Sequence, residues 1–139
     1  NTRVGPSSPT VVTCVPAAEF GRRIAFEDLS TGGSVIVLGQ GRDMLHVARN
    51  FMEFFVDESC GQCTPCRIGN ARLLEGIERL EAGTCSSKYL HELVALGETM
   101  RLASKCGLGQ SSPNAFVSIV EGFRDEVLGR TPATAGGER

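Results

Sequence analysis

No purely apolar run in this sequence is longer than four residues, Val35-Ile36-Val37-Leu38 being one, whereas a membrane-spanning helix needs roughly 20. Basic charge has no surplus either: 14 Lys and Arg stand against 16 Asp and Glu, for a net charge of −2. Nothing therefore points to nucleic acid or to an anionic membrane surface. The first residues, Asn1-Thr2-Arg3-Val4-Gly5-Pro6, contain no apolar core of a signal peptide and no starting Met. That is consistent with processing, truncation or a piece of something longer. A G-x-G-x-x-G strand–helix unit for a dinucleotide is also missing, and Gly39-Gln40-Gly41 is a poor substitute. No Ser/His/Asp set and no paired carboxylates suggest a catalytic residue. The two histidines, His46 and His91, fall inside predicted helices and read as surface or packing residues; Glu75, Glu78 and Glu81 read as solvated charge.

What remains is a globular composition. Apolar residues make up 41% and charged residues 22% of 139 positions, enough for one domain, or one small domain with a fragment of another. Residues 1–40 are rich in Gly, Pro and Ser at the start and carry short β-like pieces. Thr10–Val15 reads as a strand, Ile24-Ala25-Phe26 as the start of another, and Ser34–Leu38, after a turn at Thr31-Gly32-Gly33, as a buried strand. Three short strands are too little sheet to stand alone, so this stretch reads as the tail of a larger α+β module. From Arg42 the apolar period becomes helical. Helices are predicted over 42–57, Arg67–Glu81, Ser87–Ala103 with N-cap serines, and Pro113–Leu128 with Pro at its first position. Short connections favour antiparallel neighbours. The expected fold class is α+β: residues 1–40, a helical domain over 41–128, and a frayed tail over 129–139.

Six cysteines need an explanation: Cys14, Cys60, Cys63, Cys66, Cys85 and Cys106. A disulfide framework fits poorly, because nothing marks the chain as secreted and three thiols crowd into the stretch Cys60–Cys66. The run Glu58-Ser59-Cys60-Gly61-Gln62-Cys63-Thr64-Pro65-Cys66-Arg67 contains C-x2-C-x2-C, and Cys106 follows in Ser104-Lys105-Cys106-Gly107-Leu108-Gly109. A cubane 4Fe–4S cluster needs one terminal thiolate per iron, and a tight loop with two-residue gaps wraps three corners of a cube. Gly61 and Pro65 suit such a loop, while Gly107 and Gly109 let backbone come near a cluster. Arg67 and Lys105 adjoin ligands and offset negative charge that is costly to bury. Structural zinc also uses four cysteines, though typically as two separated C-x2-C pairs, and thiol–disulfide chemistry is a further alternative. Cys14 and Cys85 lack ligand-like spacing and read as small inert thiols.

Glu58–Arg67 together with Cys106-Gly107-Leu108-Gly109 resembles the C-terminal iron–sulfur region of the family of NADH-oxidising flavoprotein subunits. That family includes the complex I flavoprotein subunit, the diaphorase subunit of NAD-reducing hydrogenase and the β subunit of NAD-dependent formate dehydrogenase. Phe26–Val37 looks like the end of the soluble-ligand-binding β-grasp module that precedes the cluster region there. The resemblance spans about residues 20–127. It implies a four-helix bundle carrying one 4Fe–4S cluster on Cys60, Cys63, Cys66 and Cys106. It also implies electron exchange with an FMN, with FMN and NAD(H) bound on an upstream domain or partner chain. The neighbours it implies are that flavin domain, a thioredoxin-like 2Fe–2S subunit and a further iron–sulfur subunit. The implied setting is cytoplasmic, or the soluble cytoplasmic or matrix-side arm of a larger complex.

Two other readings predict different behaviour. An interaction scaffold stapled by a metal would tolerate zinc and show no redox turnover. A redox switch would pair Cys60, Cys63 and Cys66 as disulfides, but leaves Cys106 without a role.

Overall fold

The computed structural model describes residues 14–25 and 35–131. Among the described residues, a 3-10 turn at Ala17–Glu19 precedes six helices: α1 Met44–Asp57, α2 Thr64–Glu81, α3 Ser87–Ala103, α4 Gly107–Ser111, α5 Pro113–Gly122 and α6 Arg124–Leu128.

The long helices follow from their sequences. Asp43 caps α1, its side chain accepting from the N–H groups of Leu45 and His46, which satisfies two of the donors a helix start leaves free. Ser86 caps α3 by accepting from the Tyr89 N–H. Helix α2 begins at Thr64, earlier than its apolar period suggests. Cys63 is its N-cap and Pro65 stands in its first turn, where the fixed φ of Pro is pre-organised for a helix.

Each helix turns one stripe inward. Leu45 and Met52 of α1, Leu73, Ile77 and Leu80 of α2, Leu93 and Met100 of α3, and Phe116 and Ile119 of α5 are fully or almost fully buried. Burial of each large apolar side chain stabilises the fold by about 1.5–3 kcal/mol. Helix α2 lies between α1 and α3, and α5 packs on both α1 and α3. The approach of α3 to α2 is close: a Cβ at Gly76 would come within 2.2 Å of Leu93 Cδ1. At the surface Arg49 joins α1 to α2, 2.9 Å from Glu53 and 3.0 Å from Glu81. Such exposed pairs contribute little in water, so the apolar stripes decide the packing.

Two expectations are corrected. The α+β class is not what forms: among the described residues there is no strand. The apolar run that reads as a buried strand instead lies open, with Val35, Ile36, Val37 and Leu38 exposed by 71, 71, 80 and 40%. A strand needs a neighbour to accept its hydrogen bonds, and among the described residues no strand pairs with these. Cys14, Val15, Ile24 and Ala25 are not in strands either. Residues 10–13 and 26–34, and with them the rest of the expected strands and the turn at 31–33, lie outside the described residues, as does the tail from 132.

The predicted final helix is also broken. Phe123, at φ −121° and ψ 40°, separates α5 from α6. The bundle is thus α1, α2, α3 and the bent pair α5–α6, with the short α4 inserted after α3. The segment before the 3-10 turn leans on this break: the Cys14 N–H donates to Ser118 Oγ at 3.0 Å, and a Cβ at Gly122 would meet Pro16 Cγ at 3.1 Å.

Among the described residues no helix is long and apolar enough to cross a membrane.

Candidate metal centre

Helix α2 leads away from the Cys60–Cys66 segment, and α3 packs on it and returns the chain to the same end of the bundle. There the turn between α3 and α4 delivers Cys106. The result is one cavity of about 110 Å³ lined by Glu58, Ser59, Cys60, Gln62, Cys63, Cys66, Cys106 and Leu108. All four thiols named from the sequence spacing meet there. Cys60 and Cys106 are exposed, Cys63 is half-buried and Cys66 is buried. A wider, open cavity of about 320 Å³ along Glu121–Glu126 contains no thiol or imidazole.

The segment is not one continuous loop. Cys60 lies in the loop after α1, Cys63 caps α2, and Cys66 already belongs to the first turn of that helix. A thiol at a helix start benefits from free N–H groups and the positive end of the dipole. The Cys63 thiol is accordingly held below its usual pKa. The backbone N–H of Lys105 is the largest cause, followed by that of Cys66; its own amide and the Lys105 charge add to these, and together they outweigh desolvation. The packing of α4 on α2 holds the Cys106 turn against that helix.

Gly61, at φ +74°, takes a backbone conformation that side chains disfavour. The Arg67 side chain folds back beside it, with Cδ 3.8 Å from where a Cβ on Gly61 would stand. Gly109 is required by space: a Cβ there would lie 2.7 Å from Ser104 Cβ and 2.8 Å from Cys66 Cβ, so only glycine lets α4 close on the first turn of α2. Gly107 opens α4 with nothing within 4 Å of its would-be Cβ. The Lys105 side chain is exposed.

Spacing alone does not reveal the polar groups around Cys66. Ser59 Oγ is 3.4 Å from Cys66 Sγ, and the Gly61 N–H donates to the same hydroxyl oxygen at 3.4 Å. Asn70 Nδ2 is 3.5 Å from Cys66 Sγ. Ser104 Oγ is buried without a hydrogen-bond partner, although a buried hydroxyl ordinarily finds one. One signal for Asn70 is visible in retrospect: it stands four residues after Cys66, inside the stripe that continues through Leu73, Ile77 and Leu80. A polar residue on an apolar face is the unusual one.

The two remaining thiols are set apart. Burial pushes the Cys14 thiol above its usual pKa, with Ser118 opposing. Burial does the same for Cys85, against a smaller effect of Arg79. Among the described residues no three His, Cys, Asp or Glu side chains converge closely enough to hold a single metal ion. The four thiols surround a space instead of meeting at a point. That space is several times the roughly 30 Å³ a water occupies in the liquid. A soft sulfur donor set, ready amide donors and an unpaired buried hydroxyl nearby fit a group of several metal and sulfide atoms.

Comparisons with known proteins agree with this chemistry. Residues 46–130, more than half of the chain, match the family described as the NADH-ubiquinone oxidoreductase-F iron-sulfur binding region. The chain is 42% identical over 120 residues to the NAD-reducing hydrogenase HoxS subunit alpha of Cupriavidus necator, covering 86% of this chain and 19% of that protein. It is 32% identical over 108 residues to an NADH-quinone oxidoreductase subunit of Rickettsia rickettsii, covering 78% of this chain and 25% of the relative. A crystal structure of an NAD+-reducing NiFe hydrogenase in the H2-reduced state superposes with a TM-score of 0.82 at 34% identity, over 94% of this chain and 23% of that one. The chain thus spans about a fifth to a quarter of the proteins it matches. By its sequence match and its fold, it belongs to the NADH-ubiquinone oxidoreductase-F iron–sulfur binding region family.

Proposed function

We propose that Cys60, Cys63, Cys66 and Cys106 bind one 4Fe–4S cluster, and that the helical domain over 41–128 serves as a one-electron relay in an NAD(H)-linked oxidoreductase. The observation that carries this reading is the gathering of four thiols from two distant segments around one cavity. The family match and the names of the relatives support it.

When bound, the cluster takes up and gives back one electron at a time. The chain's own residues bind and surround it. Cys63 and Cys66 offer sulfur at a helix start, and backbone N–H groups stabilise the Cys63 thiolate. Cys60 and Cys106 close the cavity on its exposed side. Cys66 is buried on the inner side, and Leu108 beside it gives the cavity an apolar wall. No residue here serves as a general acid or base, so the contribution to turnover is placement and insulation.

FMN and NAD(H) belong, in this reading, to polypeptide outside this sequence: an upstream domain or a partner chain. A thioredoxin-like 2Fe–2S subunit and a further iron–sulfur subunit complete the path, and the assembly works in the cytoplasm or as the soluble arm of a larger complex. The relatives named as NAD-reducing hydrogenase and NADH-quinone oxidoreductase subunits support an NAD(H) link. The test is anaerobic titration with NADH of the assembled complex, its flavin-bearing domain or partner chain included, followed by low-temperature EPR. A cluster signal that appears with NADH and is lost in Cys106→Ser supports the relay. A cluster that dithionite reduces but NADH leaves untouched contradicts the NAD(H) link.

A further inference from the structure

Asn70 is fully buried in the body of α2, where its side chain joins three helices. Its Nδ2 donates to the Phe55 carbonyl near the end of α1 at 3.3 Å and lies 3.5 Å from Cys66 Sγ. Its Oδ1 accepts from Ser112 Oγ at 2.7 Å. Chemistry fixes the amide's orientation: a backbone carbonyl can only accept, so the NH2 group faces Phe55 and Cys66, and the serine hydroxyl must donate to the oxygen.

Ser112 is at the N-cap of α5 yet makes no side-chain cap bond. Its hydroxyl is committed to Asn70. The Phe55 carbonyl lies within the last four residues of α1, where helix carbonyls lack a partner in their own helix. A network that uses an N-cap serine and a helix-end carbonyl to hold one amide against a sulfur does more than fill space.

We propose that Asn70, oriented by Ser112 and the Phe55 carbonyl, is a positioning residue whose N–H donates to the Cys66 sulfur and raises the reduction potential of the cluster held there. This inference rests on the cluster reading above. A donor to a cluster sulfur stabilises the more negative, reduced state, so its loss favours the oxidised one. Ser59 is placed to act alongside it. Because the Gly61 N–H occupies a lone pair of Ser59 Oγ, the Ser59 hydrogen is free to point at Cys66.

The experiment uses the cluster-loaded full-length protein and three variants: Asn70→Leu, which keeps the size but has no N–H; Ser112→Ala, which removes only the orienting hydroxyl; and Thr99→Ala, a control whose hydroxyl bonds Ala95 O on an exposed face. Iron, sulfide, midpoint potential and the coupling of exchangeable protons in the reduced EPR signal are read for each. The expected result is a more negative midpoint and a lost strongly coupled proton in Asn70→Leu, a smaller shift of the same sign in Ser112→Ala, and no shift in Thr99→Ala. An unchanged midpoint in Asn70→Leu overturns the proposal. If that variant does not fold, an unchanged midpoint in Ser112→Ala overturns it. Failure of the cluster reading is separate, and shows as wild-type protein without iron and sulfide.

Discussion

The backbone N–H of Lys105 faces the sulfur of Cys63 and is the largest cause of that thiol's lowered pKa. Two segments far apart in sequence thereby meet at one end of the bundle, with α2 and α3 packed as the hairpin that joins them. The centre depends on this closure.

Gly109→Ala tests how tightly α4 must sit on α2. The added methyl would lie 2.8 Å from Cys66 Cβ and 2.7 Å from Ser104 Cβ, neither of them a flexible end. The α3–α4 turn has to retreat, at a cost of about 1–3 kcal/mol. The protein should melt lower and carry less iron. Gly107→Ala, where a Cβ meets nothing within 4 Å, should retain its iron. Iron assays and thermal melts on both variants check the contrast.

The six thiols should separate into two groups. Cys14 and Cys85 are packed into the protein by burial that disfavours their thiolates, away from the cavity that the other four line. Cys85→Ala should cost roughly 1 kcal/mol or more of stability as a small buried group is lost, with iron content unchanged. Cys60→Ser, Cys63→Ser, Cys66→Ser and Cys106→Ser should each reduce or convert the bound cluster. Iron content normalised to folded protein distinguishes the groups.

Acid should loosen the start of α1. Burial opposes the Asp43 charge, but the Arg130 hydrogen bond and the His46 and Leu45 N–H groups outweigh it and lower the pKa. Arg130 is 2.7 Å from the carboxylate. A carboxylate with a lowered folded pKa stabilises the protein above its unfolded pKa of about 3.9 and loses that contribution as pH falls through the folded value. Asp43→Asn should therefore be less stable than wild type at neutral pH, with the gap narrowing below about pH 4. Denaturant melts across that range measure it.

Much of the helical part was legible. Periodic apolar residues locate α1, α2, α3 and α5, and the serines ahead of α3 and Pro113 mark real helix starts. What misled was local propensity without a partner. Val35–Leu38 has the composition of a buried strand but lies exposed, with no neighbouring strand among the described residues, and whether a strand pairs is a tertiary fact. The break at Phe123 hides because Phe116, Ile119, Phe123 and Val127 keep helical spacing across it. Helix α4 is short and begins Gly-Leu-Gly, so only its packing on Cys66 and Ser104 makes it legible. At the centre, cysteine spacing brought forward the four thiols, whereas Asn70, Ser112 and Ser59 act through contacts that arise only once α1, α2 and α5 are assembled.

The most direct test of the central claim is the metal content of anaerobically purified protein, read together with its EPR spectrum before and after dithionite. The account predicts about four irons and four sulfides per chain, silent when oxidised and paramagnetic when reduced, with the signal weakened or converted in Cys106→Ser. A protein carrying one zinc, no sulfide and no signal on reduction would contradict it.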